Sequence, residues 1–142
     1  PVKWISDRSE AFLSDSQARA NVTTASLALD TDGRILGLRI DTLADLGSCP
    51  GLMNPVVPHW IGPATATGAY AIPAMYHRIR SVFTNSVFVG PYRGAGRPEA
   101  AYIIERLIDA AGRRTGLGPY EIRRRNFIAP RMMPWLAANG RF

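Results

Sequence analysis

The period of apolar and polar positions changes several times along the chain, and each change predicts an element. Val2, Trp4 and Ile5 predict a short opening strand. Asp7 to Ser14 (DRSEAFLS) shifts to helical spacing, with Asp7 or Ser9 as candidate N-cap. NVTTASLALD, ending at Asp30, and RILGLRIDTLADL, Arg34 to Leu46, are two strand-patterned runs. Asp30-Thr31-Asp32-Gly33 lies between them, which predicts an antiparallel hairpin. Met75 to Phe83 alternates again, with Tyr76, Arg78, Arg80 and Val82 on one side and His77, Ile79, Ser81 and Phe83 on the other.

The last third changes to helical spacing. Ala100, Ile103, Ile104, Leu107 and Ala111 recur as one buried stripe. Pro98 suits the first helical position, Glu99 suits the first turn, and Asp109 and Arg113 are spaced for an ion pair. Gly112 to Gly118 breaks the pattern, and Pro119 starts a second helix, PYEIRRRNF. Between the hairpin and Met75, Gly47 to Gly68 holds four prolines and four glycines in 22 residues. That composition predicts a long irregular segment, of the kind that is functional or belongs to a larger structure. The fold class is α+β: an antiparallel β-sheet packed with C-terminal helices.

Composition narrows the class of protein. The 142 residues suit one modest domain able to bury about 65–70% of its unfolded surface. At 46% apolar and 20% charged residues the chain reads as globular, and it has no run of membrane-spanning length. The start, PVKWISDR, has no apolar signal core and reads as a cut edge or as the product of Met removal. A single cysteine, Cys49, excludes an internal disulfide and is expected to be a small buried thiol; the localisation expected is cytoplasmic.

Charge is uneven. Residues 1–77 carry five basic and seven acidic side chains, and residues 78–142 carry twelve and four, giving −2 and +8. The basic half admits a non-catalytic module for nucleic acid or acidic proteins, but no nucleic-acid motif accompanies it. His59 and His77 lack carboxylate or cysteine neighbours at ligand spacing, so no metal site is expected there. Arg123 to Arg125 point to three sides of one turn rather than forming a stripe. Trp4 and Trp60 are expected in the core or at a subunit contact, and Trp135 against domains outside this chain.

The densest chemical signal is VGPYRGAGRPEAAYIIERL, Val89 to Leu107. Gly94 and Gly96 permit positive φ, and Arg97 precedes a proline, which holds it extended. Free amides at the following helix start suit an anionic or oxo-rich ligand. By itself such a turn is more often just a tight connection.

PVKWISDRSEAFL, DTDGRILGLRIDTLADLG and TNSVFVGPYRGAGRPEAAYIIERLIDAAGRRTGLGPYEIRRRNFI, in that order, resemble the molybdenum-binding large subunit of the xanthine oxidase family. That family includes aldehyde oxidoreductases and aerobic carbon monoxide dehydrogenases, and the YRGAGR loop resembles the carbon monoxide dehydrogenase-like type. The resemblance implies a fraction of a larger molybdenum-cofactor-binding domain: a β-rich region over residues 1–90, a cofactor loop over 89–97, helices over 98–126 and a tail over 127–142. It places Pro91, Tyr92, Arg93 and Gly94 against the molybdopterin-type cofactor and Ala95 at the substrate pocket, with no protein side chain ligating the metal.

Departures from the family narrow the substrate. Carbon monoxide oxidisers carry a copper-binding cysteine where this chain has Gly94, and purine oxidisers carry an aromatic residue where it has Ala95. No arginine lies between Trp60 and Tyr70 to orient a purine. An aldehyde or N-heterocycle, oxidised with water as oxygen donor, is the implied parent reaction. The family's general-base glutamate matches none of the four glutamates here, with Glu99 and Glu105 read as helix-surface or first-turn residues. No catalytic residue is therefore assigned, and the chain alone is expected neither to turn over nor to retain cofactor. The partners implied are the rest of the large subunit, iron–sulfur [2Fe-2S] and FAD subunits and a small-molecule substrate, without a membrane or nucleic acid. Self-association of an isolated piece is expected from exposed apolar surface. A cofactor-free remnant of the family is the third reading.

Overall fold

The computed structural model describes residues 1–49 and 51–140. Helix α1, Arg8–Ser14, starts in a capping box: Asp7 accepts from the Glu10 amide at 2.9 Å and Glu10 accepts from the Asp7 amide at 3.0 Å. Strands β1, Asn21–Leu29, and β2, Ile35–Asp45, form the expected antiparallel hairpin, with Thr23 opposite Thr42 and Leu27 opposite Leu38. Its turn is held by Asp30, whose Oδ1 accepts from the amides of Asp32 and Arg34 at 2.9 and 2.8 Å.

Strand β3, Met75–Val82, lies on the other side of β2 with the predicted alternation, but runs parallel to it, with Ile40 beside His77 and Thr42 beside Ile79. The sheet is therefore antiparallel only in its hairpin half. A long crossover separates β2 from β3, and such a connection returns the chain to the starting end of its neighbour, as a tight turn cannot. The crossover is also more ordered than its composition implies. A π-helical turn, Val57–Ile61, runs into a single α-turn, Gly62–Ala64 (α2), and Asn54, Ala66 and Thr67 around it are buried.

Helix α3 spans Arg97–Thr115 and helix α4 spans Gly118–Asn126, with a short 3-10 turn at Pro130–Met132. Gly112 does not break α3. A Cβ there would lie 2.7 Å from the Gly118 carbonyl carbon, so the glycine lets α4 start against α3. The break falls later in the expected stretch, at Gly116, in the left-handed region at φ 74°. Asp109 pairs with Arg123 of α4 at 2.8 Å rather than with Arg113.

The core lies between the sheet and α3, built on Leu38, Ile40, Tyr70, Ile72, Ile104, Ile108 and Ile122. Asn126 locks the hairpin turn to α4. Its Oδ1 accepts from the Ile35 amide, and its Nδ2 donates to the carbonyls of Gly33 and Ile122, all at 2.8 Å.

Several aromatic and thiol expectations change. Residues 1–7 form no strand, and Val2, Trp4 and Ile5 are exposed, since no neighbouring strand edge reaches them. Trp60 is also largely exposed, which excludes the core position for Trp4 and Trp60 but not the subunit contact, and Cys49 is an exposed thiol rather than a buried one. Trp135 is half-buried and lines a groove with Thr65, Gly68 and Ile128 of this chain. Beside it Asn139 donates to the Pro63 and Ala64 carbonyls that end α2. Among the described residues no helix is long and apolar enough to cross a membrane.

Candidate cofactor-binding site

The Val89–Arg97 segment is built from both ends. Before it, Asp45 at the end of β2 accepts from the Gly47 amide at 2.7 Å, Thr84 Oγ1 at 2.8 Å and Ser86 Oγ at 3.0 Å. These bonds, led by the Gly47 amide, outweigh burial and hold the Asp45 carboxyl below the usual carboxylate range. The chain then threads between two strands of backbone. The Val89 amide donates to Leu46 at 3.2 Å, and Gly90 donates to Gln17 at 2.7 Å.

The turn itself is tight. The Ala95 amide donates to the Tyr92 carbonyl at 2.7 Å and the Arg97 amide to the Gly94 carbonyl at 3.1 Å. Gly94, Ala95 and Gly96 have φ values of 92°, 41° and 87°, so three successive residues occupy left-handed backbone. Both glycines have reasons inside the chain. A Cβ on Gly94 would lie 2.5 Å from Pro98 Cγ, and one on Gly96 would lie 2.8 Å from the Gly62 amide nitrogen. Close approach to a ligand is thus not required to account for them, although the turn they make leaves Pro91, Tyr92 and Arg93 exposed at its crest.

Pro91, Tyr92 and Arg93 are exposed and Gly94 and Ala95 half-buried, and Tyr92 and Ala95 both line a small cavity beneath the turn with Arg19, Val57 and Glu99. A second cavity of about 40 Å³ lies between the hairpin, the π-turn and the start of α3. Two buried atoms without hydrogen-bond partners, His77 Nδ1 and Glu99 Oε2, belong to residues of its lining. Burial, aided by the charge of nearby His59, pushes the His77 pKa down and favours its neutral ring. Glu99 lies in the first turn of α3, as expected, but is not a surface residue: its side chain is only 17% exposed. Glu105 accepts from Tyr70 Oη at 2.8 Å and pairs with Arg123, so it too has a packing role.

Arg19 is the residue that sequence reasoning missed. Its Nη2 donates to the Arg93 carbonyl at 2.5 Å, its guanidinium lies 5.0 Å from the Tyr92 ring centroid, and its Nε is 3.7 Å from Glu99 Oε2. No spacing rule connects positions 74 apart, so only the fold brings them together. Five arginines of the basic half are meanwhile ion-paired. Arg123 pairs with Glu105 and Asp109, Arg124 and Arg125 with Glu121, and Arg78 and Arg80 with Asp41.

A family model described as the molybdopterin cofactor-binding domain matches residues 1–127. The chain belongs to that family. Within the molybdopterin cofactor-binding domain family, it is 38% identical over 135 residues to the 6-hydroxypseudooxynicotine dehydrogenase complex subunit gamma of Paenarthrobacter nicotinovorans, covering 95% of this chain and 17% of that protein. It is 36% identical over 146 residues to the carbon monoxide dehydrogenase large chain of Afipia carboxidovorans, covering 99% and 18%. The structure superposes on quinoline 2-oxidoreductase of Pseudomonas putida 86 with a TM-score of 0.91 at 37% identity, covering 97% of this chain and 18% of that one. The chain therefore spans less than a fifth of the length of these relatives. Molybdopterin cofactor binding is a property of its family's domain, and the α+β fold is the one these large subunits share.

Proposed function

We propose that this chain supplies one wall of the cofactor site in a molybdenum hydroxylase large subunit, an oxidoreductase. The observation that carries the reading is the YRGAGR turn: a tight turn, left-handed from Gly94 to Gly96, that presents Pro91, Tyr92, Arg93 and Gly94, in a chain matched to this family over residues 1–127. The residues fit an anionic, oxygen-rich group. Among the described residues the amides of Arg93 and Gly94 donate to no protein acceptor, and the Arg93 side chain adds an exposed positive charge. A bound molybdenum–pterin group would supply the redox chemistry that no side chain provides. The crest would hold and orient that group through main-chain N–H groups and Arg93, while Tyr92 shields one side from water.

Ala95 bears on the substrate as the small residue where purine-oxidising relatives carry an aromatic ring, which favours an aldehyde or N-heterocycle over a purine. Relatives named for a nicotine-derived compound and for quinoline are consistent with a heterocycle. Water would be the oxygen donor, and electrons would leave through [2Fe-2S] and FAD partner subunits. The general base would come from elsewhere in the large subunit. Carbon monoxide oxidation through a copper-bridged site is disfavoured, because Gly94 stands where the copper-binding cysteine would be.

The test is Tyr92→Ala with Arg93→Ala in the full-length large subunit assembled with its partners. Molybdenum content by elemental analysis and turnover on a panel of aldehydes and N-heterocycles are both read. A fall in either supports the site; wild-type turnover with a full complement of molybdenum would sink it.

A further inference from the structure

Arg19 adopts φ 63°, left-handed backbone that a residue with a Cβ seldom occupies without compensation from its surroundings. It follows Gln17, whose backbone pairs with Phe88 and Gly90 on either side of the isolated bridge to Val89. The conformation delivers the guanidinium to three partners in two neighbouring elements: the Arg93 carbonyl and the Tyr92 ring in the turn, and the Glu99 carboxylate in the first turn of α3.

A trans peptide is planar, and its C=O and N–H point in opposite directions. The Arg19 guanidinium, which also faces the Glu99 carboxylate of α3, holds the Arg93 carbonyl on its own side of the turn. The N–H of the same peptide unit, that of Gly94, is therefore aimed away from Arg19. We propose that Arg19 is the positioning residue of the YRGAGR turn, fixing the Arg93–Gly94 peptide so that the Gly94 amide is presented outward as a donor for an anionic or oxo-rich group. The identity of that group rests on the cofactor-site reading above; the clamp itself does not. Lysine is not an equivalent here, because one ammonium lacks the planar fork that serves a carbonyl, a ring face and a carboxylate together. Glu99 completes the arrangement: with Oε2 buried and lacking a hydrogen-bond donor, its charge is balanced by Arg19.

Hydrogen–deuterium exchange on the full-length protein tests the clamp, with Arg19→Ala and Arg19→Lys compared with wild type. The reporters are the amides of Ala95 and Arg97, which bond across the turn to Tyr92 and Gly94. Arg19→Ala is expected to raise their exchange about tenfold while the β1–β2 amides stay protected. Added guanidinium ion should restore some of that protection in Arg19→Ala and do nothing in wild type, a response that general loss of packing does not give. Wild-type exchange at Ala95 and Arg97 in Arg19→Ala would overturn the proposal. If Arg19→Ala fails to fold, Arg19→Lys decides: faster exchange confined to the turn supports the clamp, and an unchanged rate overturns it. Molybdenum content and turnover of the same variants separate the two readings. A mobilised turn with both unchanged upholds the clamp and counts against the cofactor site, whereas an unmoved turn removes the clamp alone.

Discussion

Arg123 of α4 grips Glu105 of α3 with two hydrogen bonds to one carboxylate oxygen, from Nε at 3.0 Å and Nη2 at 2.7 Å. Glu105 offers its other oxygen to the Tyr70 hydroxyl at 2.8 Å, and Arg123 reaches Asp109 at 2.8 Å. Burial opposes the charge on Arg123, but the hydrogen bonds to Glu105 and Asp109 outweigh it and raise its pKa. The cluster joins both C-terminal helices to the segment entering β3, and so supports the helix that starts at the candidate cofactor turn.

Arg123→Ala should destabilise the domain by about 1–2 kcal/mol. Bonds to charged groups are worth more than neutral ones, but the partial exposure of Glu105 admits solvent screening. Thermal melts of wild type and variant at matched salt check this, and an unchanged midpoint would remove the cluster from the stability account.

The Tyr70 hydroxyl is pushed up to about 12, first by burial and then by its hydrogen bond to Glu105. The folded value lies above the ordinary value of 10, so the native state keeps a proton that the unfolded chain has lost. The contribution of Tyr70 is intact below pH 10 and is lost as pH rises toward about 12. Denaturation across that window should show falling stability, and Tyr70→Phe should flatten the fall.

Gly96 and Gly116 separate backbone strain from steric conflict. Both have positive φ, but a Cβ at Gly116 meets nothing within 4 Å, whereas at Gly96 it would strike the backbone of Gly62 and Val57. Gly116→Ala should cost about 1–2 kcal/mol from strain alone. Gly96→Ala should cost roughly 3 kcal/mol or more, because backbone must also shift. Chemical denaturation of the two variants gives the comparison, and equal losses would contradict it.

Asn126→Ala should cost about 2–4 kcal/mol, since it strands the buried Ile35 amide and the Gly33 carbonyl. Asn126→Asp should fail to rescue it, because a carboxylate accepts from Ile35 but cannot donate to Gly33 and Ile122. Equilibrium unfolding of both variants checks the ranking.

Much of this architecture was legible because local rules and tertiary packing agree. The Asp30–Gly33 turn, the Asp7 cap and the apolar stripe of α3 each carry their signal within a few residues. What escaped depends on distant partners. The direction of β3 was hidden because alternation is the same in parallel and antiparallel strands. Gly112 read as a breaker because only α4, pressed against it, explains a glycine inside a helix. At the candidate site, the turn stood out through its glycines, but Arg19 did not, since an isolated arginine in a polar stretch has no period to betray it. Asn126 shows the converse. It sits in the RRRNFI motif that helped mark the resemblance, yet its role in stitching a helix to a hairpin turn appears only in three dimensions.

The most direct test of the central claim is an experimental structure of the full-length holoenzyme at a resolution that places the cofactor. The molybdenum–pterin group is expected against the Pro91–Gly94 crest, with a main-chain amide of that segment within hydrogen-bonding distance of it. A cofactor bound with no contact to residues 91–94 would contradict the claim, leaving the turn as a structural connection.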